Sequence, residues 1–176
     1  MKGLEKKHDN KQFNTLIKRM SLGDKDAFEE FYDYYGKFIF AQAWSVTNSL
    51  SLADEITNEV LIRVWTASQK GFEIRSPIGW IYTITLNCAR AKIKQEKQFT
   101  EIYDFPCDDA NIELVDSTDV FYKTIAPLKE KEKQIIIFRM IEDLPFKAIS
   151  KIMEIPVASV SAVFYRALNK IKIKEF

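Results

Sequence analysis

Residues Leu144 to Lys172, LPFKAISKIMEIPVASVSAVFYRALNKIK, hold two short helical patterns with a break between them. In the first, Phe146, Ile149, Ile152 and Met153 recur at helical spacing and make one apolar stripe. Glu154-Ile155-Pro156 interrupts it, because proline lacks an N–H and pushes its predecessor out of the helical region. The second pattern starts near Val157 to Ser159 and turns Val160, Val163, Phe164, Ala167, Leu168 and Ile171 inward. Two helices joined by so short a turn must cross steeply, as in a helix-turn-helix. An ordinary helical hairpin inside a bundle has the same pattern, so the rest of the chain decides between them.

Upstream, helical periodicity continues and no stretch alternates like a strand. A short helix over about Gln12–Met20 is expected on Phe13, Leu16 and Ile17, ended by Gly23-Asp24. Asp24 or Asp26 then caps a helix over about Ala27–Thr47, whose face of Phe28, Phe31, Tyr32, Tyr35, Phe38, Ile39 and Trp44 is most simply core. Ser51-Leu-Ala-Asp54 has capping-box spacing and opens a helix to about Ser68. That helix leaves Asp54, Glu55, Asn58, Glu59 and Arg63 on its outer faces. After a loop, QKGFEIRSP, a long helix over about Ile78–Gln98 is apolar first and basic later. Basic residues near a helix C-terminus also suit its dipole. Pro127 is placed to open a further helix through Ile135, Ile136 and Phe138 to Asp143.

Charge is distributed unevenly in a chain whose formal net charge is only +1. Phe99 to Val120 carries seven carboxylates and no lysine or arginine, and with Pro106 it reads as a linker. The expectation is therefore an all-α protein. A helical domain spans 1–98, an acidic linker 99–120, and a helix-turn-helix domain 121–176. A length of 176 residues with 47% hydrophobic and 29% charged content suits two small soluble domains. The start, MKGLEKKHDNK, lacks the apolar core of a signal peptide and no apolar run is long enough for a membrane span, so a cytoplasmic protein without membrane insertion is expected. Cys88 and Cys107 are then expected to be reduced and unpaired. With one histidine, His8, in a polar tail and only five glycines, histidine triads, paired-histidine metal sites and phosphate-cradling loops are not provided for. No catalytic residues, metal or cofactor are expected.

At this point the residues resemble bacterial RNA polymerase sigma factors of the extracytoplasmic-function type. ADEITNEVLIRVW, Ala53 to Trp65, is similar to the family's segment that docks on the polymerase clamp, with Asn58 where glutamine is usual. WIYTITLNCAR, Trp80 to Arg90, is similar to the segment that opens the promoter. Ala126 to Arg139 and Glu142 to Phe146 resemble the lead-in to the family's C-terminal helix-turn-helix. Three motifs in this order, across a linker, carry more weight than any one of them.

The resemblance implies a transcription initiation factor that binds core RNA polymerase, directs it to promoter DNA and helps open it, with no enzymatic chemistry. Its polymerase-binding residues would be Asp54, Glu55, Asn58, Glu59 and Arg63, carboxylates and amides presented to basic partner groups. Phe72, Arg75, Trp80, Tyr82, Asn87, Arg90, Lys92 and Lys94 would melt and hold DNA, since extruded bases need aromatic platforms beside cationic backbone contacts. Trp80 and Tyr82 have an equally simple reading as partial core. Lys147, Ser159, Ser161, Ala162, Tyr165, Arg166 and Lys170 would bind duplex DNA. An anti-sigma protein and a separate DNA-targeting partner are further candidates for partners.

The chain departs from the family pattern in places. Ser159 to Tyr165 contains no charge where lysine and arginine are usual, Glu154 stands where glycine is common, and Ala91 and Gln95 replace an aspartate and a basic residue. Phosphate neutralisation supplies much of DNA affinity. An alternative expectation follows: a sigma-like factor with weak DNA reading of its own, targeted by a separate partner.

Overall fold

A computed structural model describes the backbone of residues 10–71, 73–103 and 117–172, with side chains over 10–71, 73–98 and 120–171. These form eight helices and no strand: α1 (Asn10–Ser21), α2 (Lys25–Thr47), α3 (Leu50–Ser68), α4 (Pro77–Tyr103), α5 (Ser117–Ile125), α6 (Glu130–Met140), α7 (Phe146–Met153) and α8 (Val157–Lys172).

α2 is the central element, packed on α1, α3, α4 and α6. Asp24 caps it, accepting from the Ala27 N–H at 3.1 Å, and Gly23 before it takes a positive φ of 82° that a side chain would oppose. Phe13, Phe31 and Tyr35 form an aromatic cluster with ring centroids 4.9–5.9 Å apart. Each such ring, fully buried, contributes about 1.5–3 kcal/mol by leaving water. Two residues, Asn48 and Ser49, turn the chain from α2 into α3. Asn48 takes the left-handed conformation with φ 54°, and its N–H donates to the Trp44 carbonyl. Ser49, not Ser51, then caps α3 by accepting from the Leu52 N–H at 3.3 Å. The capping-box reading fails because α3 begins at Leu50, which places Ser51 inside the helix and leaves Ser49 as the extended residue whose side chain meets the free N–H groups.

The C-terminal part differs from expectation at its start. Pro127 lies in a turn, and α6 begins at Glu130. The Glu132 carboxylate accepts from the Lys129 N–H at 2.9 Å, half of a capping box, and this fixes the first turn beyond the proline. α5 begins at Ser117, inside the expected linker, while α4 runs on to Tyr103. Residues 104–116 of the expected acidic linker lie outside the described residues, as do His8, Phe72 and Cys107.

α6 has no solvent face over 132–138, where every residue is buried. One side packs on α7 and α8, the other on α2. Phe138 meets Phe38 at 5.4 Å and Tyr82 at 4.9 Å between ring centroids, and Tyr122 of α5 meets Trp44 at 4.9 Å. α7 and α8 cross at 108°, the steep angle expected of the short turn. The Ser150 hydroxyl donates to the Ile155 carbonyl at 2.6 Å and the Ile155 N–H to the Ser150 carbonyl at 3.1 Å, locking that turn. Glu154 ends α7 at φ 54°, with its N–H donating to the Ser150 carbonyl.

Left-handed backbone costs a residue with a Cβ about 1–2 kcal/mol, partly offset for glycine by its greater unfolded freedom. Glu154→Gly is therefore expected to raise unfolding stability by about 0.5–1 kcal/mol in a urea titration. Phe138→Ala is expected to lower it by about 3–5 kcal/mol in the same titration.

Candidate functional site

α3 separates its two faces cleanly. Ala53, Ile56, Thr57, Val60, Leu61 and Val64 are buried, while Asp54, Glu55, Asn58 and Arg63 are exposed and Glu59 half-exposed. Ile62, 64% exposed, adds an apolar patch beside Glu59 and Arg63 on this surface. All five polymerase-binding candidates from the sequence therefore share one solvent-facing surface. The Arg63 guanidinium bonds the Glu59 carboxylate at 2.6 and 3.0 Å, which raises its pKa further above the usual range. Burial pushes the nearby Cys88 thiol up, with the Glu59 charge adding to it, so this cysteine is a poor nucleophile.

α4 lies alongside α3, and the two candidate surfaces meet there. Lys92 of α4 bonds Glu55 of α3 at 2.7 Å, and that bond holds the Lys92 ammonium above its ordinary pKa. Trp80 and Asn87, seven residues apart, share one face of α4. With Ile84 of α4 and Arg63 and Ala67 of α3 they line an open cleft of about 490 Å³. An aromatic, an amide and a guanidinium around one cleft can stack and hydrogen-bond an unstacked base. Arg90 and Lys94 are exposed further along α4. Arg75 is exposed in the preceding loop.

Tyr82 belongs elsewhere. Two positions from Trp80, it faces the opposite side of α4, is 8% exposed, and donates to Gln134 Oε1 of α6 at 3.0 Å. Gln134 Nε2 in turn donates to Glu130, which lies 3.6 Å from the Arg90 guanidinium. α6 thus covers one side of the promoter-opening candidates. Beside this seam the buried Lys133 ammonium donates to Asn48 Oδ1 and sits 4.7 Å over the Trp44 ring. Burial holds Lys133 below the usual lysine range.

In the helix-turn-helix, Lys147, Ser159, Ala162, Tyr165 and Arg166 are exposed and Ser161 is half-exposed. Lys170 donates instead to Glu132 at 2.6 Å. Burial pushes the Glu132 carboxyl up, but the bonds from Lys170 and the Lys129 N–H outweigh it and hold it below the usual range. Phe164 is buried, whereas Tyr165 is 57% exposed with its edge against Phe146 and Phe164.

The sequence reading missed two groups. One is the α6 set of Glu130, Lys133 and Gln134, foreshadowed by the run QIIIF, too continuously apolar for a helix with one wet face. The other is Asn10 and Asn14 of α1. Asn14 donates to the Ile74 carbonyl at 3.1 Å and accepts from the Ile74 N–H at 3.0 Å. Asn10 donates to the Arg75 carbonyl at 2.9 Å.

The Tyr82 environment has a measurable consequence. Burial pushes its hydroxyl up to about 12, and burial does the same for Tyr122. An unfolded chain releases these protons near pH 10. Stability is then full below about pH 10 and falls as pH rises through about 12, because the unfolded state sheds protons first. Tyr82→Phe is expected to flatten this alkaline fall in a denaturant series from pH 8 to 12. At neutral pH it should cost about 1 kcal/mol for the lost bond to Gln134.

Comparison with known proteins fits this geometry. The family models for Sigma-70 region 2 and Sigma-70, region 4 match residues 31–99 and 118–171. The chain is 22% identical over 174 residues to the ECF RNA polymerase sigma factor SigW of Bacillus subtilis, covering 89% of this chain and 92% of that one. It is 24% identical to the ECF RNA polymerase sigma-E factor of Haemophilus influenzae, over 91% and 93% of the two chains. Among solved structures, CnrH in complex with the cytosolic domain of CnrY superposes with a TM-score of 0.62, at 18% identity over 92% of this chain and 96% of that one. RpoE from Bartonella quintana, in complex with the anti-sigma factor NepR, gives 0.60 at 20% identity, over 82% and 94%. With regions 2 and 4 matched in order over most of its length, the chain belongs to the Sigma-70 family as a sigma factor of the extracytoplasmic-function type, a transcription initiation factor.

Proposed function

We propose that this sigma factor docks on core RNA polymerase through Asp54, Glu55, Asn58, Glu59 and Arg63 on α3, and helps open promoter DNA with the α3–α4 loop and the face of α4 beside it. The observation that carries this reading is the α3 surface, where all five polar side chains face solvent from a helix whose other side is buried. A rigidly presented acidic face suits basic partner groups, and Glu55 and Glu59 are already matched to Lys92 and Arg63. Arg63, Trp80 and Asn87 would hold an unstacked base, while Arg75, Arg90, Lys92 and Lys94 would follow the phosphates.

The division of labour follows the sequence. Residues 1–98 carry polymerase binding and DNA opening, 99–120 connect, and 121–176 read duplex DNA. In the second unit Ser159, Ser161, Ala162 and Tyr165 would face base edges, with Lys147 and Arg166 on phosphates. Lys170 contributes less there, because its charge is engaged by Glu132. Targeting by a separate partner is not favoured, since the region 4 match spans the whole helix-turn-helix. Sigma factors are not enzymes, and this chain acts by binding alone. Control by an anti-sigma protein is supported by the superposed sigma factor RpoE, bound to the anti-sigma factor NepR, and by CnrH, bound to the cytosolic domain of CnrY. The site of action is the cytoplasm, with the polymerase. No single helix among the described residues is long and apolar enough to cross a membrane.

Replacing Glu55 and Glu59 together by lysine is expected to reduce co-purification with core polymerase at least tenfold. Helical circular dichroism and the melting temperature should stay close to the parent, since exposed ion pairs add little stability. Full retention of polymerase by the folded double variant would remove α3 as the docking surface. In holoenzyme, Arg166→Ala is expected to weaken promoter binding and lower the slope of log K against log salt by about 1.

A further inference from the structure

Among its described residues, the loop between α3 and α4 buries a single apolar side chain. Ile74 is its buried anchor, Arg75 and Ser76 are exposed, and an open groove of about 630 Å³ separates much of it from α1. Its shape is set by amide side chains. Asn14 meets both backbone groups of Ile74, donating to the carbonyl at 3.1 Å and accepting from the N–H at 3.0 Å, as a neighbouring strand would. Asn10, one turn earlier, donates to the Arg75 carbonyl at 2.9 Å. At the other end Gln69 donates to the Met20 carbonyl of α1 at 2.9 Å. Phe13, beside Asn14, sets its ring edge-on to Trp80 at 6.1 Å. α1 carries none of the polymerase or DNA contacts assigned above, yet it holds the loop by both ends and supports the aromatic at the head of α4.

A side chain that makes both hydrogen bonds of one peptide unit fixes that unit's orientation. Here this happens at Ile74, immediately before the exposed Arg75 and three residues before α4 begins. A loop that receives an unstacked base gains affinity chiefly by being ordered before the base arrives. We infer that Asn14, with Asn10, is a positioning residue for promoter opening: it holds the Ile74–Arg75 backbone in the conformation that presents Arg75 and Trp80 to the unpaired strand. The inference rests on the proposed role of this loop and adds to it a residue of α1 outside the contacting set.

The test uses the full-length protein assembled with core polymerase. Opening is followed by permanganate reactivity of unpaired thymines on a duplex promoter and on the same promoter with a pre-opened bubble. Asn14→Leu keeps the shape and removes both bonds, Asn14→Asp keeps only the acceptor, and Asn10→Ala removes the single outer bond at the exposed start of α1. Asn14→Leu is expected to bind polymerase normally and to open duplex about tenfold more slowly, with most of the deficit gone on the bubble template. Asn14→Asp should recover part of the rate and Asn10→Ala should show a smaller defect of the same kind.

Normal duplex opening by both Asn14→Leu and Asn10→Ala, where Arg75→Ala is slow, overturns the positioning role alone. A deficit equal on duplex and bubble and accompanied by lost polymerase binding also overturns it, as a general folding effect. If Arg75→Ala itself opens duplex at the parental rate, the loop's role falls and the inference falls with it.

Discussion

Phe138 touches the rings of Phe38 and Tyr82 from a helix that on its other side packs against α7 and α8, and this two-sided burial of α6 joins the two halves of the chain. A helix with one apolar stripe could have served the helix-turn-helix alone. Burying residues 132–138 throughout commits α6 to both neighbours, and the polar residues in that run must then find partners inside. Glu132 takes Lys170 and a backbone N–H, Lys133 takes Asn48 and the Trp44 ring, and Gln134 takes Tyr82 and Glu130. Each pairing is specific in direction, so the seam fixes orientation as well as proximity.

The surfaces proposed to meet polymerase and DNA are not independent patches. Glu55 and Lys92 pair across α3 and α4, and Arg63 belongs both to the acidic face, through Glu59, and to the cleft lined by Trp80 and Asn87. Charge on one helix therefore sets the potential felt on the next. Exposed pairs of this kind add little to stability. Their value lies in holding long side chains in a defined place, where an incoming partner finds them already ordered.

How much of this was legible in the sequence depended on whether a feature leaves a periodic trace. The aromatic stripe of α2 and the broken pattern of α7 and α8 did, and the structure has the helices there. The outer face of α3 followed from its inner one. α5 was hidden because Ser117–Ile125 follows an acidic run that reads as linker. α6 was placed as a helix and the run QIIIF hinted at burial, but Glu132, Lys133 and Gln134 are polar, and nothing in the sequence marked the second face that buries them. Trp80 and Tyr82 looked equivalent in composition, although two positions on a helix point about 200° apart. The Asn14 clasp was beyond reach, because a side chain meeting a backbone 60 residues away leaves no pattern in either segment.

The two-sided burial of α6 also bears on how binding constants for this chain are to be understood. A partner that recognises only an arrangement in which α6 has left α2 meets a small fraction of the molecules. Its observed dissociation constant is the intrinsic one divided by that fraction. Substitutions such as Gln134→Leu or Asn48→Ala, at side chains outside the proposed contact sets, would then alter apparent affinity for every such partner by a common factor. A change touching one contact surface would alter affinity for that partner alone. Comparing how one set of variants shifts affinity for two different partners thus separates the intramolecular equilibrium from the contacts themselves.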